Sequence, residues 1–179
     1  ALQASLLART EPAREAAQTI ARSTKRMNKL IQDLLDVTRM EGGRLPLDCA
    51  RVSSAQLVVD VVATQKELAG PLGIDLRLDV GDDLPDAWAD RDRAFRIFEN
   101  LIGNAMKFTA HALRPAVSIV SQSRAQRLVF CVRDNGVGFD MKYVDKLFQP
   151  FQRLHRAEEF GGSGMGLNVV RRIIRRHGG

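Results

Sequence analysis

Apolar and polar positions follow two different rhythms along the chain, and the change of rhythm divides it. From Ala1 to about Met40 alanine, leucine, glutamine and arginine dominate, which predicts helix. Pro12, just after Thr10-Glu11, sets a turn near residues 9–14 and splits this stretch into a short helix and a longer one. In the longer helix Ile20, Thr24, Met27, Ile31, Leu34 and Thr38 step by threes and fours, a heptad seam suited to a helical bundle. A helix packed on its own domain would show the same periodicity. Gly42-Gly43 ends the helix and Pro46 prevents its resumption.

Beyond residue 44 helical and alternating segments follow one another. Ser53 or Ser54 caps a helix running to about Ala69. Ile74–Val80 alternates apolar and polar, as a half-buried strand does, and Gly81–Pro85 is a turn. Trp88-Ala89-Asp90 reads as a short strand, and a long helix runs from about Arg91 to Phe108. Strands near Ala116–Gln122 and Arg127–Arg133 pair as a hairpin through residues 123–126. A glycine-rich stretch, a short helix, a second glycine-rich stretch and a last helix through Arg176 complete the series. The pattern is that of an α+β or α/β sandwich with glycine loops between its elements.

Composition narrows the function classes. With 45% apolar and 27% charged residues over 179 positions, the chain holds one globular domain plus a smaller appendage. No apolar run nears the roughly 18 residues of a membrane span and no secretory signal is visible, so a cytoplasmic region without membrane contact is expected. Any sensor or anchor would lie outside these residues. Cys49 and Cys131 lack metal-ligand spacing and read as reduced thiols. The net charge of +6 is scattered except in Arg171-Arg172-Ile173-Ile174-Arg175-Arg176, where arginine pairs flank a buried-face isoleucine pair. No aromatic stacking platform accompanies it, which argues against nucleic acid and leaves an anionic ligand or an acidic protein partner.

Three clusters carry candidate chemistry. In Phe98-Glu99-Asn100-Leu101-Ile102-Gly103-Asn104-Ala105-Met106-Lys107-Phe108-Thr109, the side chains of Asn100, Asn104 and Lys107 recur at i, i+4 and i+7 and share one helical face. Phe95, Phe98, Ile102 and Met106 form a core stripe opposite. Amide oxygens suit Mg²⁺, which takes few protein ligands, and a lysine supplies a point charge for phosphate. A polar helix face meeting water is the plainer reading of this segment alone. Asp134-Asn135-Gly136-Val137-Gly138-Phe139-Asp140 follows an apolar strand: its glycines permit close backbone approach, and its first carboxylate can accept a hydrogen bond from an exocyclic amine such as adenine's. Gly161-Gly162-Ser163-Gly164-Met165-Gly166-Leu167 leads into the last helix, where exposed N–H groups at a helix N-terminus make a phosphate cradle. No Gly-Lys-Ser/Thr follows, so it is not a Walker loop, and no strand precedes it as a dinucleotide fingerprint requires.

In this order the clusters resemble the N, G1 and G2 boxes of the catalytic domain of sensor histidine kinases of two-component systems. Leu147-Phe148-Gln149-Pro150-Phe151-Gln152-Arg153 is similar to the F box that opens the lid, and the segment from Gln152 to Phe160 is similar to kinases of the phytochrome-like subgroup. The resemblance runs from about Ser23 to Gly179. It implies a Bergerat-type two-layer α/β sandwich at 44–179, a mixed sheet packed on helices. At 1–43 it implies part of a dimerisation and phosphotransfer hairpin from a dimeric four-helix bundle. It further implies that Asn104, with Asn100 beside it, ligates Mg²⁺, that Lys107 holds ATP phosphate, and that Asp134 reads the adenine amino group. Gly136 and Gly138 would shape the base pocket; Gly162, Ser163, Gly164, Met165, Gly166 and Leu167 would form the phosphate loop; Phe148 and Phe151 would anchor the lid. The implied reaction moves the ATP γ-phosphoryl group to a histidine and then to a response-regulator aspartate, with a homodimer as the working unit. Such chemistry rests on positioning and charge neutralisation.

Two departures from the family pattern stand out. His111, His155 and His177 are the three histidines, and none opens the acidic-x-x-x-proline arrangement of the phosphoacceptor. Residues 1–179 are therefore expected to bind ATP without becoming autophosphorylated, and the strands that usually complete the sheet after the last helix are expected to be missing; the three histidines read as surface or packing residues. The rival within the superfamily is a gyrase- or heat-shock-type ATPase, which hydrolyses ATP with a glutamate one helical turn before the metal-binding asparagine. Asn100 holds that position here, and Glu99 stands ~100° around the helix from it, a candidate only for assisting phosphotransfer. A non-catalytic nucleotide-sensing or dimerisation module is the second rival.

Overall fold

A computed structural model describes residues 47–179 except 82, 125–126 and 157–158, together with helical residues 16, 17, 19–21, 23, 24, 27 and 31. The chain divides into two compact units, Ala1–Arg44 and Leu45–Gly179. In the first, Ile20, Thr24, Met27 and Ile31 of the expected seam are helical. The side chains of Ile20, Met27 and Ile31 are 66%, 58% and 49% exposed. Leu34, Thr38 and the turns at Pro12 and Gly42-Gly43 lie outside the described residues.

The second unit runs β1 (Cys49–Val52), α1 (Ser54–Ala69), β2 (Asp75–Asp79), β3 (Ala87–Asp90), α2 (Arg91–Thr109), β4 (Ala116–Arg124), β5 (Arg127–Asp134) and α3 (Gly166–Arg176). A 3-10 segment, Met141–Lys146, stands where a short helix is expected. β2 pairs in parallel with β4, and β4 pairs antiparallel with β5, so the mixed three-stranded sheet has β4 at its centre. β1 and β3 form a separate antiparallel ladder, with Cys49 opposite Asp90. β1 escapes sequence reading because four residues containing one arginine show no decisive alternation.

Local chemistry accounts for the helix starts. The Ser53 hydroxyl accepts from the Gln56 amide at 3.3 Å and opens α1. The Asp90 carboxylate accepts from the Arg93 amide at 3.1 Å and opens α2, whose first turn also holds Asp92. α1 turns Leu57, Val58, Val61 and Val62 inward, α2 turns Phe98, Ile102, Ala105 and Met106 inward, and both pack on Leu76, Val117 and Ile119 of the sheet. Phe98 meets Phe130 of β5 edge-on, with centroids 5.1 Å apart. α2 therefore lies between α1 and α3, the middle helix of one layer.

The far end of α3 is tied to the near end of α2 by His177. Its Nε2 accepts from the Asp90 amide at 3.1 Å, while Nδ1 lies 2.8 Å from the Ile173 carbonyl. A carbonyl only accepts, so the proton sits on Nδ1 and the ring is the neutral tautomer. The two cysteines are free and half-buried.

Candidate functional site

The polar face of α2 is the base of the site. Asn100, Asn104 and Lys107 are each half-buried, because core residues on the opposite face hold the helix against the sheet. Asn100 donates from Nδ2 to the Arg96 carbonyl at 2.9 Å, which leaves Oδ1 facing the start of α3. A Cβ at Gly166 would lie 2.8 Å from that oxygen, so a larger residue there would push the Asn100 amide aside. The Asn104 amide makes no hydrogen bond with any described residue. The Lys107 ammonium stands 4.1 Å from the Phe108 ring centroid and 3.4 Å from where a Gly162 Cβ would be. Glu99 is exposed and turned to another side of the helix.

The loop after β5 folds against the end of α2. Asp134 Oδ1 accepts the Gly136 amide at 3.0 Å, bending the loop and leaving the second oxygen open. Val137 then donates its amide to the Phe108 carbonyl at 3.3 Å. Asn135 faces the other way, accepting from the Ala116 amide at 2.9 Å and donating to the Arg114 carbonyl at 2.8 Å. Gly138 has a φ of 61°, and its carbonyl lies 3.0 Å from His155 Nε2, which must carry that ring's donating hydrogen. Asp140 caps the 3-10 segment, and its hydrogen bonds to the Lys142 side chain and amide hold its carboxyl below the usual carboxylate range.

The lid starts and ends at one place. Gly164, with φ of 73°, sits so close that a Cβ would be 2.7 Å from the Gln152 carbonyl oxygen. Ser163 Oγ accepts from the Met165 amide at 3.3 Å as the loop enters α3. Two of the expected residues differ in exposure. Met165 is 1% exposed, buried in the core, so only its backbone faces the loop. The Phe151 ring is 61% exposed, at a backbone φ of 61°. The ring that holds the lid is Phe160, 6% exposed, with ring centroids of Phe108, His111 and His155 all 5.2–5.3 Å away. Arg153 adds a hydrogen bond to the Phe160 carbonyl.

Sequence reading also misses Asn168. It is 1% exposed, donates to the Phe148 carbonyl at 2.8 Å and accepts from Arg172 Nε at 3.1 Å. The signal was present: a lone amide within the buried set Met165, Val169, Val170 and Ile173 has to find partners or destabilise the fold. Asn168→Leu leaves the Phe148 carbonyl unpaired and is expected to lower stability by about 1–3 kcal/mol. Amide exchange in residues 148–156 should rise with it. Denaturation together with hydrogen exchange checks this; unchanged exchange there would remove Asn168 as the lid's fastening.

Three sequence-distant loops thus meet one helical face: the loop after β5 at Phe108, the loop before α3 at Asn100 and Lys107, and the lid's aromatic anchor at Phe108 and His111. Among the described residues no group of three or more His, Cys, Asp or Glu converges, so a cation here would take amide oxygens and the oxygens of its own anion.

The chain belongs to the family of histidine kinase-, DNA gyrase B- and HSP90-like ATPases, whose model matches residues 89–179, and a His Kinase A (phospho-acceptor) domain model matches residues 1–43. Named histidine kinases and phytochrome-like proteins are among the proteins it is similar to. It is 34% identical over 86% of its length to the phytochrome-like protein Cph1 of Synechocystis sp., covering 20% of that protein. It is 31% identical over 95% of its length to the circadian input-output histidine kinase CikA of Synechococcus elongatus, covering 23% of it. The chain therefore spans about a fifth of the length of these curated relatives. Among solved structures, full-length ShkA in complex with AMPPNP superimposes with a TM-score of 0.75 at 27% identity, over 89% of this chain and 33% of that one.

Proposed function

We propose that residues 44–179 bind Mg²⁺-ATP and present its γ-phosphoryl group to a histidine, from which a response-regulator aspartate takes it. The observation that carries this reading is the convergence on α2: an amide without a partner among the described residues, a lysine, and two glycine loops share one face. Asn104 ligates the metal with Asn100 beside it, since amide oxygens suit Mg²⁺ and the remaining positions fall to phosphate and water. The metal, when bound, neutralises charge on the triphosphate. Lys107 holds phosphate together with the N–H groups of the loop 162–167 at the start of α3. Asp134, with one oxygen open, takes the adenine amino group, and Gly136 and Gly138 keep the loop low enough for the base. Glu99 is the candidate for assisting transfer. Residues 1–43 dimerise as part of a helical bundle, a reading supported by the exposed helical residues Ile20, Met27 and Ile31.

The acceptor histidine is none of the three in residues 1–179. His177 has both ring nitrogens engaged, His155 is bound to Gly138 and meets the Phe108 and Phe160 rings at tilted and edge-on angles, and His111 lies against Phe160. Incubation of residues 1–179 with γ-labelled ATP and Mg²⁺ should therefore leave bound nucleotide but no acid-labile phosphohistidine. Stoichiometric labelling of His111, His155 or His177 would contradict the assignment.

A further inference from the structure

Between their C-terminal halves α1 and α2 leave an open groove of about 450 Å³ that adjoins the site above at Lys107, His111 and Phe160. Leu68 and Leu72 line it from one side and Met106 and Ala110 from the other, and Gln65 also faces it. Gln65 lies on the buried stripe of α1, in register with Val58, Val61, Val62 and Ala69. It is 5% exposed, yet its amide has no hydrogen-bond partner among the described residues. A buried amide left unpaired is costly, and its two donors and one acceptor are all available. Thr109 and Asn168, buried polar residues of the same unit, are both satisfied from within the chain. A polar residue on a core stripe without an internal partner is a local rule broken, and such breaks concentrate at functional sites.

We propose that this groove is a ligand site for a neutral, planar ring bearing a lactam edge. The N–H and C=O of a lactam lie side by side, so one edge pairs both with the Gln65 carbonyl and with its NH₂. The apolar walls take the ring, and nothing lies within 4 Å of a Cβ placed on Gly103, which leaves room for it. The charged groups on the rim are Lys107 and Glu159, of opposite sign, which favours a neutral ligand over an anion. The volume falls in the range of small-molecule sites, roughly 300–1,000 Å³. Of the residues assigned to nucleotide only Lys107 borders the groove; Asn100, Asn104 and Asp134 do not. Phe160, the lid's anchor, forms part of the rim, so an occupied groove would steady the lid from outside.

The test uses a matched pair of probes on the whole chain, 2-quinolone and its N-methyl derivative, which keeps the ring and removes the donor. 2-Quinolone should bind with perturbation of the Gln65 side-chain NH₂ resonances, and the N-methyl compound about tenfold or more weaker. Gln65→Leu should abolish that preference and raise the melting temperature by a few degrees, because an unpaired amide is replaced by an apolar side chain of similar size. Equal binding of the two probes, no shift at Gln65 at millimolar 2-quinolone, or a Gln65→Leu chain that melts lower would each overturn the proposal. So would competitive displacement of the probe by Mg²⁺-ATP, since the groove would then be an outlying part of the nucleotide site. Nucleotide affinity is measured independently of either probe, so a failure of the nucleotide reading is told apart from a failure of this one.

Discussion

Asn104→Ala is expected to weaken Mg²⁺-dependent ATP binding by about a hundredfold and to lower phosphotransfer at least as much, with the melting temperature almost unchanged. The two halves of this expectation have one cause. The Asn104 amide is half-buried but bonds to no described residue, so its removal leaves no partner in the chain unsatisfied. Alanine is the better helix former, by about 0.5 kcal/mol, which offsets the small packing loss in α2. The loss therefore falls on the ligand, where removing one preorganised group commonly costs 10²–10³ in rate. Calorimetry of ATP binding with Mg²⁺ and with EDTA separates metal from nucleotide: parent and variant should differ with Mg²⁺ and agree without it. An unchanged Mg²⁺ dependence in the variant would move the metal to other ligands.

Gly136→Ala should damage fold and site together. A Cβ there would lie 2.4 Å from the Phe108 carbonyl oxygen and 2.6 Å from its carbon, and both are backbone atoms that no rotamer change displaces. The loop must lift off the end of α2, losing the Val137 hydrogen bond to the same carbonyl. Forced overpacking of this kind costs about 3 kcal/mol. For a unit of this size that lowers the melting temperature by about 10 °C. ATP affinity should fall as well, because Phe108 is the residue after Lys107. Gly103→Ala is the control: its Cβ meets nothing, and the helix interior gains about 1 kcal/mol. Thermal melts of the two variants side by side check both, and a Gly136→Ala chain that melts with the parent would contradict the contact.

What was legible in the sequence, and what was not, divides along physical lines. Periodicity located α1 and α2 nearly to the residue, since each begins at a side chain that caps it, Ser53 and Asp90. It also placed β2, β4 and β5, whose alternation reflects one face on the helices. β1 was lost because four residues are too few to show a period. The site was legible where chemistry is local: Asn100, Asn104 and Lys107 share a face by helix geometry alone. It was illegible where tertiary contact decides. Nothing in the order of residues shows that Phe160 rather than Phe151 is the buried lid aromatic, because neither lies in an apolar run: Phe151 stands between Pro150 and Gln152, and Phe160 between Glu159 and Gly161. Asn168 and Gln65 are both amides on apolar stripes that sequence reading passes over; only the fold shows that the first is bonded within the chain and that the second has no partner among the described residues.

The most direct measurement is a crystal structure of this chain grown with AMPPNP and Mg²⁺. The metal should lie within coordination distance of Asn104 Oδ1, a phosphate oxygen should meet Lys107 Nζ, and the adenine amino group should face Asp134. A nucleotide bound elsewhere, with Asn104 and Lys107 free of it, would contradict the account.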